Sequence, residues 1–167
     1  MQTLTPTPPE ELGRRRARIL LIVVLAVAVL GGGTLAAALA GAFDDRGKFS
    51  AEPPACATVE ASAAKLGPGY QLTQDAGNNC ELRGPTTVTV SYVVVKPSRG
   101  DAPAAASNKL KELSPLGLKA LPSVGEEAYR WEDRIYFRVS NLLVSVTAAP
   151  SPEVIAFTTD VATRLAS

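Results

Sequence analysis

The chain contains no histidine. Histidine is the commonest general base near neutral pH and the commonest protein ligand of transition metals. Its absence excludes His-dependent catalytic triads and argues against a zinc enzyme. The sequence therefore predicts no metal, no cofactor and no catalytic residue, and it favours a protein that is not an enzyme.

Charge is absent from a long run near the N-terminus. No charged residue occurs from Ile19 to Phe43, where Leu, Val, Ile and Ala dominate. As a helix this run would be about 37 Å long, at ~1.5 Å per residue, enough to cross a hydrocarbon core of about 30 Å with some tilt. Acidic residues follow the run and a basic cluster precedes it, which predicts a cytoplasmic N-terminus and an extracytoplasmic C-terminal domain. The basic cluster consists of Arg14, Arg15, Arg16 and Arg18.

A cleaved signal peptide is the alternative to an uncleaved anchor. Residues 19–30 could form its apolar core, and Ala38-Leu39-Ala40 could be its cleavage site. The apolar character continues to Phe43, however, which is longer than such a core needs. We therefore expect a single-pass protein of the cell membrane.

The same patterns divide the chain into four parts. Residues 1–18 are rich in Pro and Thr and are predicted to be a disordered cytoplasmic tail. The transmembrane helix is expected at 19–43, a linker at 44–55, and one extracytoplasmic domain at 56–167. The charges of that domain are mixed and nearly balanced, so it has no basic footprint for nucleic acid.

Cysteine is scarce as well. The chain has two, Cys56 and Cys80, both on the extracytoplasmic side of the predicted span. An even pair in an oxidising compartment most often forms a disulfide bond, which we predict here. A redox-active pair is the weaker alternative, since the spacing is not Cys-x-x-Cys.

Hydrophobic periodicity in the domain predicts an α+β fold. Residues 86–96 alternate apolar and polar positions, as a strand with one buried face does. Asp101 and Ser151 are each followed by a Pro in the first turn of an apolar helical stripe, so both are candidate N-caps. Glu132-Asp133 and Ser140-Asn141 suit tight hairpin connections. The expected order is helix, three strands, helix, three strands and helix, with a largely antiparallel sheet.

Several short segments of the domain carry a resemblance to a known family. They are Cys56-Ala57-Thr58, Asn79-Cys80-Glu81-Leu82, the Val-Gly-Glu-Glu-Ala-Tyr segment at 124–129, and Arg138-Val139-Ser140-Asn141. In these the chain resembles a family of uncharacterised, envelope-associated actinobacterial proteins, many of which are lipoproteins. The family has no settled activity, so the resemblance implies no functional residue. This chain differs from the lipoproteins in having an apolar span in place of a lipidated Cys.

Two groups of side chains are candidates for a functional site. Glu126, Glu127, Glu132 and Asp133 could hold a cation or form an acid pair, although a solvated hairpin is the more ordinary interpretation. Tyr129 and Trp131 could form a sugar-stacking or partner-binding surface, with core packing as the alternative.

The sequence favours a membrane-anchored, non-catalytic binding or interaction module of the cell envelope. Its expected partners are the membrane and a protein or cell-wall component. The alternative is a secreted or anchored hydrolase acting through carboxylates or a metal.

Overall fold

The computed structural model describes residues 44–75, 77–113 and 117–167. Residues 44–167 form one compact unit. Within the described ranges no helix has the length and apolarity needed to cross a membrane. The predicted span at 19–43, the predicted tail and the four arginines lie outside these ranges.

The domain is α+β, as the sequence predicts. Its elements, in chain order, are α1 (Ala55–Glu60), a 3₁₀ helix (Ala63–Leu66), β1 (Gln71–Gln74), β2 (Cys80–Arg83), β3 (Thr87–Val94), α2 (Ala102–Lys111), β4 (Lys119–Ala120), β5 (Glu127–Trp131), β6 (Arg134–Val139), β7 (Leu142–Thr147) and α3 (Pro152–Ala166).

The seven strands form one antiparallel sheet with the order β1-β2-β3-β7-β6-β5-β4. Strands β1 to β3 are neighbours in the sheet in the same order as in the chain, and the same is true of β4 to β7. The two groups meet where β3 pairs with β7, with Tyr92 opposite Val144. Helix α2 lies in the connection between the two groups of strands. Because the groups join through β7, the last strand of the chain occupies the centre of the sheet.

Local sequence signals explain most of these boundaries. The Asp101 carboxylate accepts a hydrogen bond from the Ala104 amide at 2.7 Å and caps α2. Ser151 caps α3 by accepting from the Val154 amide at 3.3 Å. Both predicted caps are therefore confirmed. The two-residue turns after β5 and β6 are also present, with Glu132 and Ser140 at positive φ.

One face of the sheet, here called the core face, carries the main hydrophobic core. Alternate residues of the central strands point into it, and α1, the 3₁₀ helix and α3 cover it. The largest fully buried side chains of this core include Leu82, Val90, Phe137, Val144 and Phe157. At about 1.5–3 kcal/mol for each fully buried large aliphatic or aromatic side chain, this face supplies most of the driving force for folding.

The opposite face of the sheet, here called the open face, is covered over only part of its area. Helix α2 contacts β6 and β7 there and buries Ala102, Ala106 and Leu110. The Ser107 hydroxyl of α2 donates to the Glu127 carboxylate of β5, which fixes the helix to this side. The described residues leave the rest of the open face half-buried or exposed.

The predicted disulfide bond is confirmed. Cys56 of α1 and Cys80 of β2 are bonded, with their Cα atoms 4.9 Å apart. Cys80 is fully buried and Cys56 packs against the core. The bond therefore ties the first helix to the core face of the sheet.

Residues 44–54, where composition suggests a linker, form hydrogen bonds to the folded domain at several points along their length. We call this segment the strap. The Asp44 carboxylate accepts from the Gly100 amide, and the Asp45 carbonyl accepts from the Ala102 amide. At the other end the Pro53 carbonyl accepts from the Asn78 side chain. Composition indicates an irregular backbone here, but it cannot show that side chains distant in sequence hold that backbone in place.

One strand is missing from the sequence-based expectation. Lys119–Ala120 form β4, a seventh strand that the expected order of elements does not include, and pair with Arg130 and Tyr129 of β5. Two residues are too short to show the period-two alternation by which a strand is recognised.

Candidate functional site: the open face of the sheet

Three aromatic side chains and one arginine lie together on the open face. Tyr129 and Trp131 alternate along β5 and so point to the same side. The register places Tyr136 of β6 directly opposite Tyr129, and Arg134 directly opposite Trp131. The three aromatic side chains are half-buried and Arg134 is exposed. We call these four residues the aromatic patch.

The structure thus places the two predicted surface residues, Tyr129 and Trp131, on the accessible face of the sheet and away from the main core. Sequence reasoning missed their neighbours Tyr136 and Arg134. The signal was available in the predicted tight turn at Glu132-Asp133. A two-residue turn fixes the antiparallel register, and that register pairs 129 with 136 and 131 with 134.

An apolar slot of about 190 Å³ adjoins the aromatic patch, between α2 and the sheet. Its walls include Leu110 and Leu113 on one side, Val93 and Leu143 on the other, and Tyr136, which belongs to both features. Val93 is 49% exposed, and it is the large hydrophobic side chain that the described part of the domain leaves in solvent. The slot and the patch form one continuous surface.

Most charges on the open face are neutralised by a neighbour. Arg83 and Glu81 form an ion pair with 2.7 Å between Arg83 Nη2 and Glu81 Oε2. Arg138 pairs with Glu126 and Glu127. Arg134 forms no ion pair with any described residue. The neighbouring Tyr136 raises the pKa of its guanidinium, with smaller contributions from Asp133 and Glu132. The patch therefore presents a permanent positive charge.

The predicted acidic cluster is divided between two ends of β5. Glu132 and Asp133 occupy the exposed turn after the strand, whereas Glu126 and Glu127 lie at its start. The solvated interpretation holds for the exposed turn but is wrong for Glu127, whose side chain is only 16% exposed. Alternation along the sequence could not show that α2 covers this end of the strand.

Glu127 is the centre of a polar network beneath α2. Its carboxylate accepts from the Ser107 hydroxyl at 2.6 Å and from the Tyr129 hydroxyl at 3.1 Å. Arg138 Nε lies 3.6 Å away and Lys111 Nζ 4.0 Å away. Burial raises the pKa of Glu127, but these two hydrogen bonds and the two cations outweigh that effect, so the pKa lies below its usual value. Glu127 is therefore committed to structure.

Glu126 is engaged in the same region. Its carboxylate pairs with Arg138 and accepts from the Ser140 amide at 2.8 Å. Among the described residues no group of three or more His, Cys, Asp or Glu side chains is arranged to hold a metal ion. Glu126 thus stabilises the β6–β7 turn, and Glu127 holds α2 against the sheet.

Comparisons of the chain with protein-family models, with curated proteins and with solved structures find no match. The open face is therefore interpreted from its own geometry and chemistry.

Proposed function

We propose that the chain is a single-pass, membrane-anchored protein of the cell envelope whose extracytoplasmic domain is a non-catalytic module that binds another protein. The observation that carries this proposal is the open face, where the aromatic patch and the apolar slot lie side by side. A monomeric domain rarely leaves a continuous apolar and aromatic surface in solvent unless it binds something. The resemblance to envelope-associated actinobacterial proteins supports the same setting.

The chemistry of this surface favours a protein partner over a glycan. Trp, Tyr and Arg are the residue types that dominate binding energy at protein interfaces, and the patch contains all three. The slot beside it is lined by Leu and Val, which suit an apolar side chain better than a sugar hydroxyl. Arg134 adds a positive charge with no ion-pair partner among the described residues. The expected partner therefore offers an apolar side chain and an acidic group on one surface.

The alternative, a hydrolase, has less support. Two of its four candidate carboxylates, Glu126 and Glu127, are bonded to Arg138 and to neighbouring donors. The other two, Glu132 and Asp133, lie in the exposed turn at the opposite end of β5. A general acid or base must be free to exchange a proton with substrate. Carboxylates held in structural ion pairs, with the pKa of Glu127 below its usual value, are poorly suited to that work.

The membrane location rests on the sequence. The apolar run and the preceding arginines predict an inside N-terminus, and a disulfide is typical of proteins in oxidising compartments. Protease added to cells stripped of their wall should digest the C-terminal domain and spare a tag at Met1. A protected C-terminus would contradict the orientation, and a mature chain beginning near Gly41 would contradict the anchor.

Photocrosslinking from the open face tests the binding function directly. A photoreactive benzophenone amino acid is placed in the full-length chain at Tyr136, at Trp131, or at Ala156 on the exposed surface of α3. Illumination of intact cells should give the same protein adduct from the first two positions and none from the third. The charge reversal Arg134→Glu should remove the adduct, whereas Arg99→Glu, in an exposed loop, should leave it.

Other outcomes of this experiment would overturn the proposal. No adduct from either open-face position, or equal adducts from all three, would show that the open face binds no protein partner. A saccharide adduct would assign the surface to a wall component. An adduct that consists of two copies of this chain would make it a self-association surface.

A further inference from the structure

The two edges of the sheet differ in how well they are protected against pairing with another strand. Natural sheets block their edges with very short strands, charged side chains, proline or bulges. The β4 edge has such features, because β4 contains two residues, one of them Lys119, and Pro122 follows closely. The β1 edge has fewer of them, since its four residues, Gln71–Gln74, are short but carry no charge and no proline and pair with β2 without a bulge.

The outward hydrogen-bonding groups of β1 can be assigned from the ladder. The Asp75 amide donates to the Asn79 carbonyl at 3.0 Å, so Asp75 faces β2. Bonding groups alternate along an antiparallel strand, so those of Gln71 and Thr73 also face β2. The amides and carbonyls of Leu72 and Gln74 therefore point away from the sheet. Within the described ranges no strand pairs with them.

We infer that β1 is a self-association edge, at which two copies of the chain pair their β1 strands antiparallel about a two-fold axis at Thr73. In this register Leu72 lies opposite the partner's Gln74 on both sides of the axis. The outward amides and carbonyls of Leu72 and Gln74 in both copies are then paired in four hydrogen bonds. The two seven-stranded sheets become one continuous sheet.

Side-chain chemistry is compatible with this register. Thr73 meets the partner's Thr73 directly, and Thr–Thr pairs are favourable cross-strand neighbours. Gln71 meets the partner's Asp75, so no like charges are opposed. Gln74 and Thr73 are exposed and Leu72 is half-buried, so the strand is accessible. The contact uses only a short edge, which corresponds to a weak interface that membrane tethering would favour.

Cysteine cross-linking of the full-length chain tests the register. Residues directly opposite in a non-hydrogen-bonded pair have Cα atoms about 4.5 Å apart, within the range of a disulfide. Thr73→Cys should therefore give a disulfide-linked dimer under mild oxidation. Gln71→Cys is the matched control, because Gln71 lies on the same strand and the same face as Thr73 and is also exposed. In this register, however, the two introduced thiols of the Gln71→Cys variant would be roughly 13 Å apart, so no dimer should form.

A second pair of variants tests the association without cysteine. Thr73→Lys opposes two like charges at the axis and should abolish dimers trapped by a lysine-independent cross-linker, whereas Thr73→Val should retain them. The inference is overturned if the Thr73→Cys and Gln71→Cys variants cross-link equally or not at all. It is also overturned if the Thr73→Cys variant captures a different protein or an N-terminal segment of its own chain. These positions lie outside the aromatic patch and apolar slot, so this result and the binding result are separable.

Discussion

Asn141 is a buried polar residue that explains how an irregular segment can belong to the domain. Its side-chain oxygen accepts from the Phe49 amide at 2.9 Å, and its nitrogen donates to the carbonyls of Phe49 and Val95 at 2.9 and 3.2 Å. The Asn141 side chain thus bonds both the amide and the carbonyl of Phe49 in the strap, as the backbone of a neighbouring strand would. Gly47 passes so close to it that a Cβ there would overlap the Asn141 side chain.

Replacing Asn141 by Ala should lower the free energy of unfolding by about 2–4 kcal/mol, because it leaves the partly buried amide and carbonyl of Phe49 and the carbonyl of Val95 without these partners. Urea unfolding followed by fluorescence of Trp131, the one tryptophan of the chain, measures this loss. Ser140→Ala removes one exposed bond to the Lys48 amide and serves as control, with a loss within about 1 kcal/mol. Equal losses in the two variants would contradict the role given to Asn141.

Glu127 predicts a pH dependence of stability. Its pKa in the folded domain is lowered from the reference value of 4.5, so the folded state holds its charged form better than the unfolded state does. Its contribution is complete above about pH 4.5 and is lost as the pH falls through the lower folded pKa. Glu127→Gln should therefore flatten the fall in stability below pH 4.5, measured by urea unfolding at a series of pH values. Matching pH profiles for the Glu127→Gln variant and the wild-type protein would refute the role given to this network.

At the scale of elements, the cap of α2 is an isolated determinant. Asp101→Ala removes the acceptor for the Ala104 amide and should cost about 1 kcal/mol. Asp101→Asn keeps an acceptor oxygen and should cost much less. Urea midpoints of the two variants give the comparison, and a similar loss in both would mean that the charge of Asp101 matters more than its capping bond.

Sequence patterns predicted the elements well wherever a local rule determines them. Alternation predicted that Val88, Val90, Tyr92 and Val94 share the buried side of β3. The first three are buried, and Val94 packs against the core but is only partly buried. The proline after each cap located α2 and α3. These signals act between near neighbours, so one sequence is enough to find them.

Contacts between distant parts of the chain were not predictable in the same way. Asn141 and Phe49 are 92 residues apart, and no periodicity links them. Ser107 and Glu127 are 20 residues apart, and their contact depends on which face α2 covers. The candidate surface was found in part, because Tyr129 and Trp131 are conspicuous in one strand. The slot was missed because its walls come from separate elements that only the folded chain brings together.

At the scale of the whole molecule, the disulfide bond restricts the unfolded chain, because it keeps Cys56 and Cys80 together before the domain folds. It closes a loop with a sequence separation of 24 between α1 and β2. The double variant Cys56→Ser/Cys80→Ser should lower the free energy of unfolding by about 2–4 kcal/mol. Reduction of the wild-type protein should give the same loss in urea unfolding. A difference below about 1 kcal/mol would show that core packing alone restrains this loop.

The strap also has a mechanical consequence. From the order of these bonds along the chain we infer that a pull on the N-terminal end of the domain would load first the bonds of Asp44 and Asp45 and then those to Asn141, so that they would break in turn. The peeling stops at Cys56, because its bond to Cys80 passes the load to β2, inside the sheet. The strap would therefore act as a short extensible tether, and the disulfide as the stop that keeps tension from the core.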